Sequence, residues 1–245
     1  MLSATTTMNA TFTGVKDIAE IFGGGISGGS LVIIEGESKS GKSVLTQHLA
    51  HSVLHSRENA IAYYTMGDAD GDLIAQMDSL ALDARHYRVT DRLRVYPLSS
   101  PVGPGAAQSF GERLISQILA LPARFNLVVV DAITSFMAQI SPSAKMDLLL
   151  AFKDLCKQGR SIILVADTHI FENGTLLRAY LMSDYYLRLR SEETLLWAGQ
   201  MDGRVIKMLE ALKLRGVERQ TGEPIKFEIR PEVGIQILPF VKVRI

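Results

Sequence analysis

Residues 36–45 read GESKSGKSVL and set Gly36, Gly41, Lys42 and Ser43 at the spacing G-x-x-x-x-G-K-[ST]. Glycines let a loop fold back so that several backbone N–H groups converge on one centre, which suits an anion. The chemistry is a grip on the phosphates of a nucleoside triphosphate such as ATP. The loop residues Glu37, Ser38, Lys39 and Ser40, with Val44 at the start of the following helix, would supply main-chain donors. Lys42 would neutralise the β- and γ-phosphates, and the Ser43 hydroxyl would ligate Mg2+.

Such a site needs an acidic partner, and NLVVVDAITSF offers Asp131 at the end of an apolar run. Asp131 either completes the Mg2+ site or caps the segment after it. ILVADTHIFENG brings Asp167, Thr168 and His169 to another strand end, where they either sense the terminal phosphate and position water or cap a loop. In LKLRG, Lys213 and Arg215 are two apart and on a strand face the same side. Two adjacent cations there are either solvated or matched by the phosphate of a neighbouring subunit, in the manner of an arginine finger. His48, His51 and His55 share one helix face, beside an apolar stripe of Leu45, Leu49 and Val53. No Cys or carboxylate lies close enough to complete a tetrahedral zinc set, so the expectation is a partly exposed helix face.

Each of these residues must be delivered by an element of structure. The apolar runs LVII, AIAYY, LRVYPL, NLVVVD and SIILVAD read as short strands, and the segments 42–56, 70–81, 106–121 and 143–158 read as helices between them. Strands apolar on both faces that alternate with helices predict an α/β fold, a mostly parallel sheet covered on each side. The cradle falls between the first strand and the first helix, the setting in which a helix N-terminus adds its dipole. From about Asp184 the runs YYLRLR, VIKMLEALK, IKFEIRP and GIQILPF predict antiparallel strands closing the sheet. With 245 residues and no repeat or linker, the chain reads as one domain, 1–245, with residues 1–13 loosely held.

Composition narrows the function. Lys plus Arg and Asp plus Glu both number 26, so the basic excess of a nucleic-acid coat is missing. The single cysteine, Cys156, stands among apolar neighbours and reads as a buried thiol in a reducing cytoplasm. The start carries no secretory leader, and no apolar stretch approaches the ~20 residues that span a bilayer. The expectation is a soluble, cytoplasmic protein that meets a membrane only through partners.

These motifs, with QMDSL, THIFENGTLLRAYLMSD and KLRGVERQTG, resemble the KaiC-like branch of the RecA-type ATPases across nearly the whole chain. Within that branch they are similar to the accessory ATP-binding proteins of the archaellum, the archaeal motility organelle. The resemblance implies a RecA/KaiC-like P-loop fold and ATP with Mg2+ as ligands. It also implies a ring of identical subunits, a hexamer, with nucleotide between them, which agrees with Lys213 and Arg215 acting in trans. The implied partners are the archaellum motor ATPase, the motor membrane protein and the scaffold around them. One departure matters: relatives place a glutamate after the second strand to polarise the attacking water, and here Thr65, Met66 and Gly67 stand there. Asp68 and Asp70 follow and substitute only if the loop bends back. The expectation is intact ATP binding with slow hydrolysis.

Two other readings compete. A recombinase-like ATPase would need basic loops, yet FMAQISPSAK and HIFENGTLLR carry one lysine and one arginine between them. An autophosphorylating signalling ATPase would need a Ser or Thr acceptor, for which RQTGEP offers Thr221.

Overall fold

The five apolar runs form β1 (Leu31–Gly36), β2 (Ala60–Thr65), β3 (Leu93–Pro97), β4 (Phe125–Asp131) and β5 (Ser161–Asp167). The computed structural model describes residues 26–66, 70–103, 105–168, 170, 173–193, 205–216 and 224–238. The expectations for residues 1–13, Asp68, His169 and Thr221 lie outside the described residues. The helices are α1 (Lys42–Leu54), α2 (Asp70–Ser79), α3 (Arg85–Val89), α4 (Ala106–Ala120), α5 (Thr134–Met137), α6 (Pro142–Lys157) and α7 (Asn173–Met182). The strands after Asp184 are β6 (Tyr185–Glu193), β7 (Val205–Lys213), β8 (Ile225–Arg230) and β9 (Gly234–Ile237).

All the described strands join one sheet in the order β3-β2-β4-β5-β1-β6-β7-β8-β9. Alternation sorts its central side chains to two faces. Val32 and Ile34 of β1 meet α1 and α2 residues such as Leu45, Leu49 and Met77. Leu31 and Ile33 face the other layer, with Leu114, Phe152 and Ala179 of α4, α6 and α7. Each such aliphatic side chain contributes roughly 1.5–3 kcal/mol on burial. That two-sided cover explains why these strands carry no polar alternation. Cys156 is buried in the second layer, and burial pushes its thiol up to about 12.

The C-terminal half differs from expectation in one strand. β6 runs parallel to β1, and only β7, β8 and β9 are antiparallel to their neighbours. The cause is α7, which the apolar pattern left unread. A parallel partner needs a crossover, and α7 supplies it between β5 and β6.

The hairpin of β8 and β9 folds back over α1. His48 is buried beneath it rather than on a partly exposed face, and its Nε2 accepts the Ile235 N–H at 3.2 Å. Gly234, at φ +80°, brings the hairpin so close that an added Cβ would stand 2.5 Å from that nitrogen. Burial first, then the neighbouring His51, lowers the His48 pKa to about 4. His48 is therefore neutral in the fold, whereas an unfolded chain takes up the proton near 6.5. Stability from this site is complete above about pH 6.5 and is lost as pH falls toward 4. The loss amounts to roughly 3 kcal/mol at most. Urea unfolding at pH 7.5 and pH 5 should reveal it, and His48→Gln should flatten the difference. An unchanged difference in that variant would exclude His48 as its source.

Candidate functional site: a phosphate cradle at the carboxyl edge of the sheet

The loop after β1 is shaped by exclusion. A Cβ on Gly36 would lie 2.5 Å from the Leu189 carbonyl oxygen of β6 and 2.6 Å from Ser40 Oγ. Gly41 adopts φ +97° and ends the loop at the first residue before α1, with no side chain capping the helix. The first-turn N–H groups of α1 are thus open to an anion, and no acidic residue in that turn opposes one. Glu37, Ser38 and Lys39 are exposed along the rim, Ser40 is buried, and Val44 packs partly into the core.

Lys42 is 8 % exposed and bridges the loop. Its Nζ donates to the Gly36 and Glu37 carbonyls at 2.9 and 2.7 Å and lies 2.8 Å from Asp167 Oδ1. Asp167, reached by sequence as a strand-end residue, is therefore the counter-ion of the cradle lysine. Thr134 Oγ1 accepts the Asp167 N–H at 2.9 Å, and Thr168 N–H donates to the Gly36 carbonyl, tying the end of β5 to the cradle.

Asp131 is not on a strand adjacent to β1, because β5 lies between them. The first turn of α1 bridges the gap, and Ser43 Oγ donates to Asp131 Oδ1 at 3.1 Å. The other carboxylate oxygen accepts from the Tyr63 hydroxyl of β2 at 2.7 Å. Burial pushes the Asp131 carboxyl up, against the opposing pull of Tyr63, Ser43 and Lys42. A hydroxyl and a buried carboxylate converging beside a phosphate cradle form the hard oxygen set that Mg2+ prefers. The cation would offset the desolvation that Asp131 now bears.

Beyond Ser43 and Asp131 the site opens into a cleft of about 580 Å³, bounded by Thr65, Met66 and Ala132 on the sheet side and by Asp72 and Gln76 of α2 opposite. Thr65 and Met66 thus stand at its wall, at the positions where a polarising glutamate was sought. Asp70, offered as a substitute, begins α2.

Lys213 and Arg215 do not join this site within one subunit. β7 ends at Lys213, so Arg215 lies in the turn beyond it and not on the same strand face. Lys213 Nζ donates to the Tyr180 and Leu181 carbonyls at the end of α7, at 2.9 and 2.8 Å. Arg215 donates to Ser30 Oγ at 3.4 Å and lies 3.8 Å from Asp184. The anion expected opposite the two cations is thus supplied locally, by a helix C-terminus and by Asp184. Ser30 precedes Gly36 by six residues along extended chain, so Arg215 sits about 20 Å from the cradle, at the amino edge of the sheet.

Three contributors escaped the sequence reading. Lys207 of β7 reaches the rim and donates to the Lys39 carbonyl at 2.5 Å. Tyr63 reads as a core residue of β2, and Gln47 as a polar position of α1. Beneath the loop, Glu35 is fully buried and accepts from the Tyr186 hydroxyl and from Arg188 Nε, each at 2.5 Å. Burial and the Glu35 carboxylate push the Tyr186 phenol up, so it remains a donor.

The sequence model of the family described as "ATPase: KaiC" matches residues 11–242. The chain belongs to the KaiC family of ATPases. Among KaiC-family relatives, it is 23 % identical over 218 residues to the archaeal flagellar ATP-binding protein FlaH of Sulfolobus acidocaldarius, spanning 88 % of this chain and 91 % of that one. It is 24 % identical over 224 residues to the FlaH of Methanocaldococcus jannaschii, spanning 90 % and 91 %. The crystal structure of flagellar accessory protein FlaH from M. jannaschii superposes with a TM-score of 0.72 at 20 % identity, covering 96 % of this chain and 100 % of that one. The KaiC-like RecA-type fold expected from the motifs is therefore the fold of this chain, and membership of this family implies nucleotide binding.

Two further observations bear on the competing readings. Lys145, the lysine of FMAQISPSAK, is buried with Nζ bonded to the Ile170 carbonyl at 3.2 Å, so it is not presented to a nucleic-acid backbone. Among the described residues no helix is long and apolar enough to cross a membrane.

Proposed function

We propose that residues 1–245 act as one ATP-binding domain that serves the archaeal motility organelle as a nucleotide-gated assembly factor. The observation that carries the nucleotide reading is the meeting of Ser43 with Asp131 at the mouth of a loop whose lysine spans it. Residues 36–44 hold the triphosphate, and Ser43 and Asp131 hold Mg2+. When bound, that ion screens the charge of the β- and γ-phosphates.

Lys213 and Arg215 serve a neighbour's nucleotide, exchanging for its phosphates the carbonyls and Asp184 that hold them within one subunit, since the length of β1 separates Arg215 from its own cradle. Copies of the chain therefore close into a ring, a hexamer, with ATP between subunits. The motor-associated role rests on the likeness to the FlaH proteins. In that role the ring works in the cytoplasm, against the motor ATPase, the motor membrane protein and their scaffold. Hydrolysis is slow because Thr65 and Met66 bring no carboxylate to the cleft.

The test is titration with ATP and Mg2+, read by affinity, by oligomer mass and by phosphate release. Binding that drives the mass upward, with turnover below about 1 s⁻¹, is the expected result. Faster turnover would remove the gating role, assembly indifferent to ATP would remove the switch, and absence of binding would end the reading altogether.

A further inference from the structure

The cleft beside Ser43 and Asp131 holds more polar chemistry than a metal site requires. Asp72 and Gln76 are four residues apart on α2, so they share one face of the helix, and both line the cleft. Asp72 is exposed and makes no hydrogen bond or ion pair with the described residues. Arg85, on the adjacent α3, is engaged instead by Asp78 at 2.7 Å.

A second observation comes from α1. Gln47, one turn after Ser43, is 1 % exposed and lines the same cleft. Its Nε2 donates to Gln76 Oε1 at 2.6 Å, while its own Oε1 is buried with no donor. A buried carbonyl oxygen without a partner is costly to the fold. Gln76, accepting through its oxygen, keeps its amide N–H groups free to donate. Gln76 therefore offers a donor to the cleft one turn from the Asp72 carboxylate, and Gln47 fixes its orientation.

We propose that Asp72 orients and deprotonates the water that attacks the γ-phosphate, with Gln76, steadied by Gln47, donating to that water. The inference rests on the ATP-binding reading above. The water oxygen forms a bond to the γ-phosphorus as the β–γ bridging bond breaks. ADP departs with that electron pair, and the released proton passes to Asp72 and then to solvent. The base comes from the first turn of α2 in place of the end of β2. Its side chain is one methylene shorter than glutamate, which agrees with slow turnover.

The experiment is single-turnover hydrolysis with protein in excess over ATP and Mg2+. It is paired with affinities for ATP, for ADP, and for ADP with Mg2+ and aluminium fluoride, a mimic of the transferring phosphoryl group. Asp72→Asn should slow hydrolysis at least about tenfold, within the span of a general base. It should bind ATP and ADP within about twofold of wild type, and the fluoride complex about tenfold more weakly. Asp72→Glu, which keeps a carboxylate, should hydrolyse faster than Asp72→Asn. Wild-type rates in Asp72→Asn would overturn the inference, as would a wild type that binds ATP but completes no turnover. Both outcomes leave the ATP-binding reading standing. Failure of the wild type to bind ATP would bring down both.

Discussion

Lys42→Ala should lower ATP affinity by roughly 10²–10³-fold and leave the fold in place. The ammonium is already gathered at the cradle by two carbonyls and Asp167, so a triphosphate meets a positioned charge and little ordering is left to do. Hydrogen bonds to charged groups contribute about 1.5–3 kcal/mol each, and two toward the lower end of that span, about 3–4 kcal/mol together, account for that range of affinity. The fold should tolerate the change because Glu37 is exposed and Asp167 is partly so, and water can take over both. Isothermal titration with ATP and Mg2+, beside a thermal melt, separates the two effects. An affinity within threefold of wild type would place the triphosphate away from this loop.

Arg188→Met should produce the largest loss of stability of any single change considered, about 3–5 kcal/mol. Glu35 is fully buried one residue before the cradle, and Arg188 on the paired strand β6 is its cationic partner. Truncating the arginine strands a carboxylate in an apolar layer with only the Tyr186 hydroxyl left to it. The pair itself need not stabilise the fold relative to a hydrophobic substitute, so the double change Glu35→Leu with Arg188→Met should recover most of the loss. Urea titration of the two variants beside wild type tests this. A single variant as stable as wild type would mean that Glu35 does not depend on Arg188.

The parts of the site legible in the sequence are those whose partners lie close along the chain or follow from a strand's direction. Gly36, Gly41, Lys42 and Ser43 fall within eight residues, and their order alone dictates a loop that opens onto a helix N-terminus. Asp131 was visible because an apolar run ending in a carboxylate marks the sheet edge at which ligands bind. Tyr63 was not, because it sits in an unbroken apolar strand and its role depends on a hydroxyl meeting a residue 68 positions away. Lys207 lies 168 positions from the carbonyl it holds, on a strand whose pairing no periodicity specifies. The parallel sense of β6 was hidden for a similar reason. The segment 173–182 lacks a wide apolar stripe, with Leu177 and Leu181 exposed, so the crossover helix that fixes the strand's direction did not stand out. Lys213 and Arg215 read as one strand face, but the turn after Lys213 and the anchors at Ser30 and Asp184 are matters of topology.

The nucleotide loop is finished by residues that leave the ribosome late. Gly36 abuts the Leu189 carbonyl, Lys39 is held by Lys207, and Gly41 lies against Lys207 and the Ile229 methyl. A nascent chain that has emerged only through β5 holds the entire G-x-x-x-x-G-K-[ST] segment but none of these abutments. Ligand capture during synthesis must therefore wait until β7 and β8 are out.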